Sequence, residues 1–267
     1  MLEIHDLVCG YGEVPVLHCI SLNVAAGEMV AIIGPNGCGK TTLLRAASGV
    51  LLPWSGRVWV DGVDVHRISP RERAKRIAFV GQNVALDFAF DVREVVLMGR
   101  SPHIRRFGWE SHHDVQVAEA AMAMCDILPL ADRPITELSD GERQRAFIAM
   151  ALAQEPRLLL LDEPTSHLDI NHQVGILDIV RGLNQRTGLT VVMVSHDLNL
   201  AAEYCDRLFL LRGGRLLTSG TPAEVLTEAN INAAYGATVR VQPNPVSGRP
   251  HIVLVPGPQQ KSAAGCA

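Results

Sequence analysis

Lysine is almost missing from this chain: of its 24 lysines and arginines, only Lys40, Lys75 and Lys261 are lysine, and the formal charge is −4. Without a basic surplus there is no broad positive footprint for nucleic acid, so no nucleic-acid partner is expected. Long apolar runs are missing too. None approaches the roughly 18 residues that span a bilayer, and the start, Met1-Leu2-Glu3-Ile4-His5-Asp6, has no basic stretch leading into an apolar one. The expected location is therefore the cytosol or the cytosolic face of a membrane. The six cysteines include no Cys-x-x-Cys pair and no local Cys/His spacing suited to zinc, and are read as reduced thiols. No internal repeat is visible. With 267 residues, 48% of them hydrophobic, the chain suits one α/β domain with an inserted lobe.

What is present begins with Met29-Val-Ala-Ile-Ile33, a short apolar run rich in β-branched residues that reads as a buried strand. Gly34-Pro35-Asn36-Gly37-Cys38-Gly39-Lys40-Thr41 follows, and then apolar residues at helical spacing from Thr42. Strand, Gly-x-x-x-x-Gly-Lys-Thr, helix is the context that a phosphate-binding loop requires. Gly34, Gly37 and Gly39 permit backbone angles and approaches that a Cβ would block, so N–H groups can turn onto phosphate oxygens. The helix aims its positive end at the same anion. Lys40 is expected to reach the terminal phosphates, Thr41 to bind Mg²⁺, and Thr42 to add a hydroxyl on the phosphate side. That a chain so poor in lysine keeps one here fits a compact ammonium in a cramped phosphate cage.

Two further apolar runs end in polar chemistry. Leu158-Leu-Leu-Leu161 reads as a central parallel strand buried on both faces. Its end carries Asp162, expected to hold Mg²⁺ directly or through water, and Glu163, expected to polarise the water that attacks a γ-phosphate. Val191-Val-Met-Val194 ends in Ser195-His196-Asp197. Ligands of open parallel sheets lie outside the carboxyl ends of the strands, so Lys40/Thr41, Asp162/Glu163 and His196 are expected at one edge, His196 touching the γ-phosphate.

Leu138-Ser139-Asp140-Gly141-Glu142 is a second element fit for an anion. Ser139 with Glu142 three residues on is a capping box, and a helix start with a free serine hydroxyl and a free Gly141 N–H is also an anion site. One catalytic edge per chain and no repeat make this a half-site for a second copy of the chain. Asp140 must then point away from the nucleotide.

With these elements in order, residues 1 to 240 resemble the nucleotide-binding subunit of an ATP-binding-cassette transporter. The resemblance implies an α/β fold: a P-loop NTPase (RecA-like) core with a parallel sheet, an antiparallel β layer and an inserted α-helical signature lobe. The core and β layer would occupy 1–86 and 158–240, the lobe 87–157, and an extension and tail 241–267. Tyr11 matches the aromatic that stacks on adenine, although from the residues alone a turn anchor between Gly10 and Gly12 is as good. Gly34 to Thr42 match the Walker A loop, Gln82 the glutamine that senses Mg²⁺ and the membrane subunit, and Leu158 to Glu163 the Walker B strand. Asp169, in Ser166-His167-Leu168-Asp169, matches the D-loop and His196 the switch histidine. Ser139 to Glu142 match the signature, departing from its common Leu-Ser-Gly-Gly-Gln at Asp140 and Glu142. The implied activity is ATP hydrolysis with Mg²⁺, by a homodimer beneath two membrane-spanning permease subunits, with Glu163, His196 and Lys40 catalytic. Val95 to His103, Arg105 to Gly108 and Thr165 to Gln173 resemble importers of iron-siderophores, haem and cobalamin, which implies a periplasmic or surface substrate-binding protein. A soluble cassette of the DNA-repair or translation type is the alternative, and a nucleotide sensor a further one.

Some features stay open at this level. Ser69-Pro70-Arg71-Glu72 and Thr221-Pro222-Ala223-Glu224 read as capped helix starts, and Gln259 to Ala267 as a disordered tail. The basic loop at 100 to 106 suits either a solvated surface or permease docking. His112 and His113 face different ways on a helix and read as surface residues. Cys38, near Lys40 and a helix start, is either an acidified, reactive thiol or a small side chain filling a small space.

Overall fold

The structure, a computed structural model, describes residues 1–82, 90–105 and 108–255. The expected start of the lobe at residue 87, Arg106 and Phe107 of the basic loop, and the tail from Gln259 lie outside the described residues. Strands β1 (Leu2–Tyr11) and β2 (Val14–Val24) form a hairpin, and β3 (Met29–Ile33) leads through the glycine loop into α1 (Lys40–Ala47). Next come β4 (Ser55–Val60), β5 (Val63–Asp64), α2 (Pro70–Ala74) and β6 (Ile77–Val80). Helices α3 (Val92–Met98), α4 (His112–Met124) and α5 (Asp140–Ala153) follow. The chain then continues through β7 (Leu158–Asp162), α6 (Ile170–Thr187), β8 (Thr190–Val194), α7 (Leu198–Tyr204), β9 (Arg207–Arg212) and β10 (Arg215–Gly220). It closes with α8 (Pro222–Val225), α9 (Glu228–Tyr235), β11 (Val239–Pro243) and β12 (Pro250–Leu254).

One sheet is antiparallel, in the order β2-β1-β4-β5; a second has six strands in the order β10-β9-β3-β8-β7-β6, and β11-β12 form a third. In the second, β9, β3, β8, β7 and β6 pair in parallel, and β10 adds an antiparallel edge. Their sequences explain why. Strand β7 has all five residues buried, and successive leucines enter different cores. Leu159 and Leu161 pack with the helices α3 to α7, whereas Leu158 and Leu160 pack with α1 and the antiparallel layer. A strand with solvent on neither face keeps polar residues to its ends, as β7 does with Asp162, and each such leucine is worth about 2 kcal/mol of burial.

Helices α3, α4 and α5 form a lobe pinned by one buried cation. Arg100, 2% exposed, donates from Nε to Asp114 Oδ1 at 2.9 Å and from Nη1 to Ala153 O and Glu155 Oε2, both at 2.7 Å. It ties the end of α3 to the start of α4 and the end of α5. Arg100 is therefore neither a solvated surface residue nor free to dock a permease. It is buried because three acceptors surround it. His112 and His113 lie exposed in the first turn of α4, behind the Ser111 cap.

The capped starts hold at residue level. Ser69 Oγ accepts the Glu72 N–H at 3.2 Å, with Pro70 opening α2, and Thr221 and Glu224 form a reciprocal box at α8. The expected boundary at 240 falls inside β11, which pairs with β12 as a hairpin. That hairpin is fastened to α7. Asn199 Oδ1 accepts the Ile252 N–H at 2.7 Å, Asn199 Nδ2 donates to Ile252 O at 3.3 Å, and Arg249 Nη1 donates to Ala202 O and Cys205 O at 2.6 and 2.9 Å. Among the described residues no helix is long and apolar enough to cross a membrane.

Candidate functional site

Adjacent strands β3, β8 and β7 end side by side, and their carboxyl ends carry the glycine loop, His196 and Asp162/Glu163. Gly34, Gly37 and Gly39 all have positive φ, at 148°, 74° and 101°. At Gly34 the requirement is also steric, since a Cβ there would lie 2.3 Å from Leu211 O and 2.8 Å from Cys38 Sγ. Helix α1 starts at Gly39 with no side-chain cap and no acidic residue in its first turn, whereas Ser139 caps α5 and Asp169 caps α6. Its first N–H groups are left for an anion. Lys40, 5% exposed, donates from Nζ to Gly34 O at 2.8 Å and Pro35 O at 3.0 Å. Among the described residues its partners are carbonyls and no carboxylate, so nothing there pairs its charge ahead of a bound phosphate.

Thr41 Oγ1 donates to Asp162 Oδ1 at 3.1 Å, bringing together two expected cation ligands from α1 and β7. Burial pushes the Asp162 carboxyl above its usual range, the Thr41 bond partly offsetting it. A hydroxyl, a carboxylate and the Gln82 carboxamide are hard oxygen donors. So small a set suits Mg²⁺, which keeps waters and takes phosphate oxygens beside one or two carboxylates. Among the described residues no three His, Cys, Asp or Glu side chains group as a metal site.

Glu163 follows β7 with φ of 54°, a left-handed turn that costs a non-glycine residue about 1 kcal/mol or more. Gln82 Nε2 donates to Glu163 Oε2 at 2.6 Å, and His196 Nε2 bonds Glu163 Oε1, which places the imidazole proton on Nε2. Both carboxylate oxygens are thus engaged. Gln82, His196 and Glu163 share a cavity of about 470 Å³ with Tyr11, Asn36, Gly37, Gly39 and the segment Lys40-Thr41-Thr42. Gly34, Pro35 and Cys38, also expected at the nucleotide, are not part of its lining. Tyr11 is 45% exposed and its hydroxyl accepts from Arg45 Nη1 at 3.0 Å. Arg45 was missed in the sequence, although it lies one turn after Thr41 on α1 and so on the same side of the helix.

The second anion element differs from expectation. Ser139 Oγ donates to Glu142 Oε2 at 2.8 Å and accepts the Glu142 N–H at 3.3 Å, while Glu142 Oε2 also accepts the Ser139 N–H at 2.9 Å. The serine hydroxyl is not free: three bonds close Ser139 and Glu142 on one another. The same bonds hold the Glu142 carboxyl below its usual range. Asp140 Oδ1 accepts from Arg143 Nη1 at 3.2 Å and faces a separate cavity of about 220 Å³ between α5 and residues 163–168. Asp169 lies beyond both cavities and accepts from His172, whose bonds hold its carboxyl below the usual range. Cys38 is buried, and burial pushes its thiol up despite nearby Lys40. The acidified, reactive thiol is therefore replaced by a small side chain in a tight space.

The family described as ABC transporter matches residues 17–166. The chain is 45% identical over 249 residues to the cobalamin import ATP-binding protein BtuD of Halobacterium salinarum, covering 93% of this chain but only 62% of that one. It is 41% identical to the ferric enterobactin transport ATP-binding protein FepC of Escherichia coli, covering 93% and 92%. To the hemin import ATP-binding protein HmuV of Pseudomonas entomophila it is 44% identical, covering 95% and 99%. In structure it is similar to a chain described as a metal-chelate type ABC transporter in an inward-facing conformation, with a TM-score of 0.85, 32% identity and coverage of 95% and 96%. A dimeric ATP-binding cassette in a post-hydrolysis state, with ADP and Pi bound, superimposes with a TM-score of 0.72 at 29% identity, over 83% of this chain and 99% of that one. With the family model matching more than half of its length and relatives above 40% identity covering nearly all of it, this chain belongs to the ABC transporter family.

Proposed function

We propose that the chain is the ATP-hydrolysing subunit of an importer for a metal chelate of the iron-siderophore, haem or cobalamin type. It works as a homodimer beneath two membrane-spanning permease subunits, peripheral to the cytoplasmic face of the membrane, with a periplasmic or surface binding protein delivering the ligand. The observation that carries the ATPase reading is Lys40, a buried ammonium with no carboxylate partner among the described residues, beside an uncapped helix start and in the same cavity as Glu163. The cargo class rests on the relatives named for cobalamin, ferric enterobactin and hemin.

In this reading Tyr11 stacks on the adenine, and the loop N–H groups with Lys40 bind the β- and γ-phosphates. Thr41 and Asp162, with Gln82, would hold Mg²⁺, which would supply charge neutralisation at the phosphate oxygens. Glu163 takes the proton of the attacking water, a contribution of roughly 10²–10⁴ in rate. Gln82 and His196 each hold one Glu163 oxygen, which fixes the direction of the carboxylate and leaves each oxygen a second lone pair for the water. Ser139 and Gly141 would meet the nucleotide of the second copy, once Glu142 gives up the serine hydroxyl.

Replacing Glu163 tests both halves. Glu163→Gln is expected to bind ATP, lose turnover by at least about a hundredfold and shift to twice the mass on sedimentation with ATP. Turnover at the wild-type rate would remove the assigned base, and a monomer at saturating ATP even with permease present would remove the shared site.

A further inference from the structure

No catalytic step above uses His172 or Gln173, yet these two residues of the first turn of α6 hold the loop after β7. Asp169 Oδ1 accepts both the His172 backbone N–H and its ring Nδ1–H, each at 2.9 Å. Gln173 Nε2 donates to Leu168 O at 3.0 Å and Thr165 O at 3.3 Å. The opposite edge of the His172 ring lies on another element. A Cβ on Gly141 would be 2.1 Å from His172 Cδ2 and 2.7 Å from Cγ, so the ring rests against the α-carbon of residue 141 at the start of α5. One imidazole therefore spans the loop that begins with Glu163 and the helix turn that carries Ser139.

We propose that His172 is a positioning residue that locks Asp169 and the start of α5 into one unit, so that both reach a second copy of the chain together. This rests on the reading of the chain as an ATP-driven dimer. The ring cannot swing off residue 141 without breaking its Nδ1 bond to Asp169, and that is why a side chain at 141 is excluded from within the chain. Close approach of a partner's phosphate would be a different reason for the same glycine. The two reasons part under mutation.

The test compares Gly141→Ala, His172→Ala, the double variant and His172→Asn in the full-length chain. It measures kcat and KM for ATP, the thermal midpoint, and ATP-dependent dimer mass in a Glu163→Gln background. Residues in direct contact couple, so Gly141→Ala is expected to lower kcat about tenfold or more and the added His172→Ala to restore most of that loss. His172→Ala alone should lower kcat and weaken the dimer with KM and thermal midpoint near wild type. His172→Asn keeps an N–H for Asp169 and should recover most of the rate. Gly141→Ala equally impaired in both backgrounds overturns the proposal, as does a kcat that merely follows the thermal midpoint or does not change. A wild-type chain that hydrolyses no ATP sinks the parent reading and this one with it, whereas normal wild-type turnover with unaffected variants sinks this one alone.

Discussion

Replacing Arg100 with methionine would keep the apolar stem and delete the head that joins three helices. Glu155, with its side chain 52% exposed, recovers water and loses little. Ala153 O is left as a buried acceptor without its donor, at about 1–3 kcal/mol. Asp114 keeps its bonds from the Ser111 N–H and hydroxyl, at 2.9 and 2.6 Å, so its charge is not stranded and the lost pair adds about 1 kcal/mol. The sum is about 3 kcal/mol, at the lower end of what breaking a buried pair costs. For a chain of this size that lowers the thermal midpoint by roughly 6 °C. Circular dichroism during heating measures it, with permease binding followed alongside. Arg100→Lys should recover only part, because one ammonium cannot serve three acceptors fixed for a fork. The effect also has a pH window. Ser111, and secondarily Arg100, hold the Asp114 carboxyl down to about 2 against an ordinary 3.8. Its folded value is the lower one, so the stabilisation is complete above the ordinary value and is lost as pH falls through the folded one. The gap between wild type and Arg100→Met should therefore narrow in acid by the share that Asp114 contributes, while the share from Ala153 O stays. A midpoint unchanged at neutral pH, with permease binding lost, would refute the buried clamp and restore the docking role.

Asp162 lies on the opposite side of the linkage. Its carboxyl is raised by burial, so it favours the fold at low pH and opposes it once ionised. Asp162→Asn should leave the nucleotide-free thermal midpoint equal or higher while Mg²⁺-dependent ATP hydrolysis falls at least about a hundredfold; a lower midpoint would contradict the burial argument. Cys38 is buried with its thiol pushed up, while Cys19 is exposed. Iodoacetamide near neutral pH should therefore label Cys19 well before Cys38 in the folded chain, as read by peptide mass spectrometry, and comparable labelling would reverse the reading of the loop thiol.

The parallel core was legible because its strands are buried on both faces. Leu158 to Leu161 cannot alternate with polar residues when each neighbour enters a different core. The glycine loop was legible because angles and approaches that exclude a Cβ leave glycine in the sequence. Contacts between distant residues left no such trace. Arg100 reads as one more basic surface residue until Ala153 and Asp114 close over it, and His172 reads as polar until its ring meets Gly141. Residues 241–254 read as part of an extension, since their prolines and glycine hide most of two short strands, and the Asn199 side chain that bonds the second comes from far upstream. Ser139 and Glu142 were legible as a cap; which of two uses the hydroxyl serves depends on what stands opposite, and that is a property of two chains.

The hairpin at the carboxyl end has a consequence for vulnerability. Its grip on α7 makes that helix a lever with His196 just before its near end and Arg249 at its far one. A proteolytic nick between 243 and 249, or a chain ending before Arg249, would strip Ala202 and Cys205 of their donor and let the lever rock. The segment least like the nucleotide core in composition is then the one whose damage would first blur the aim of its histidine.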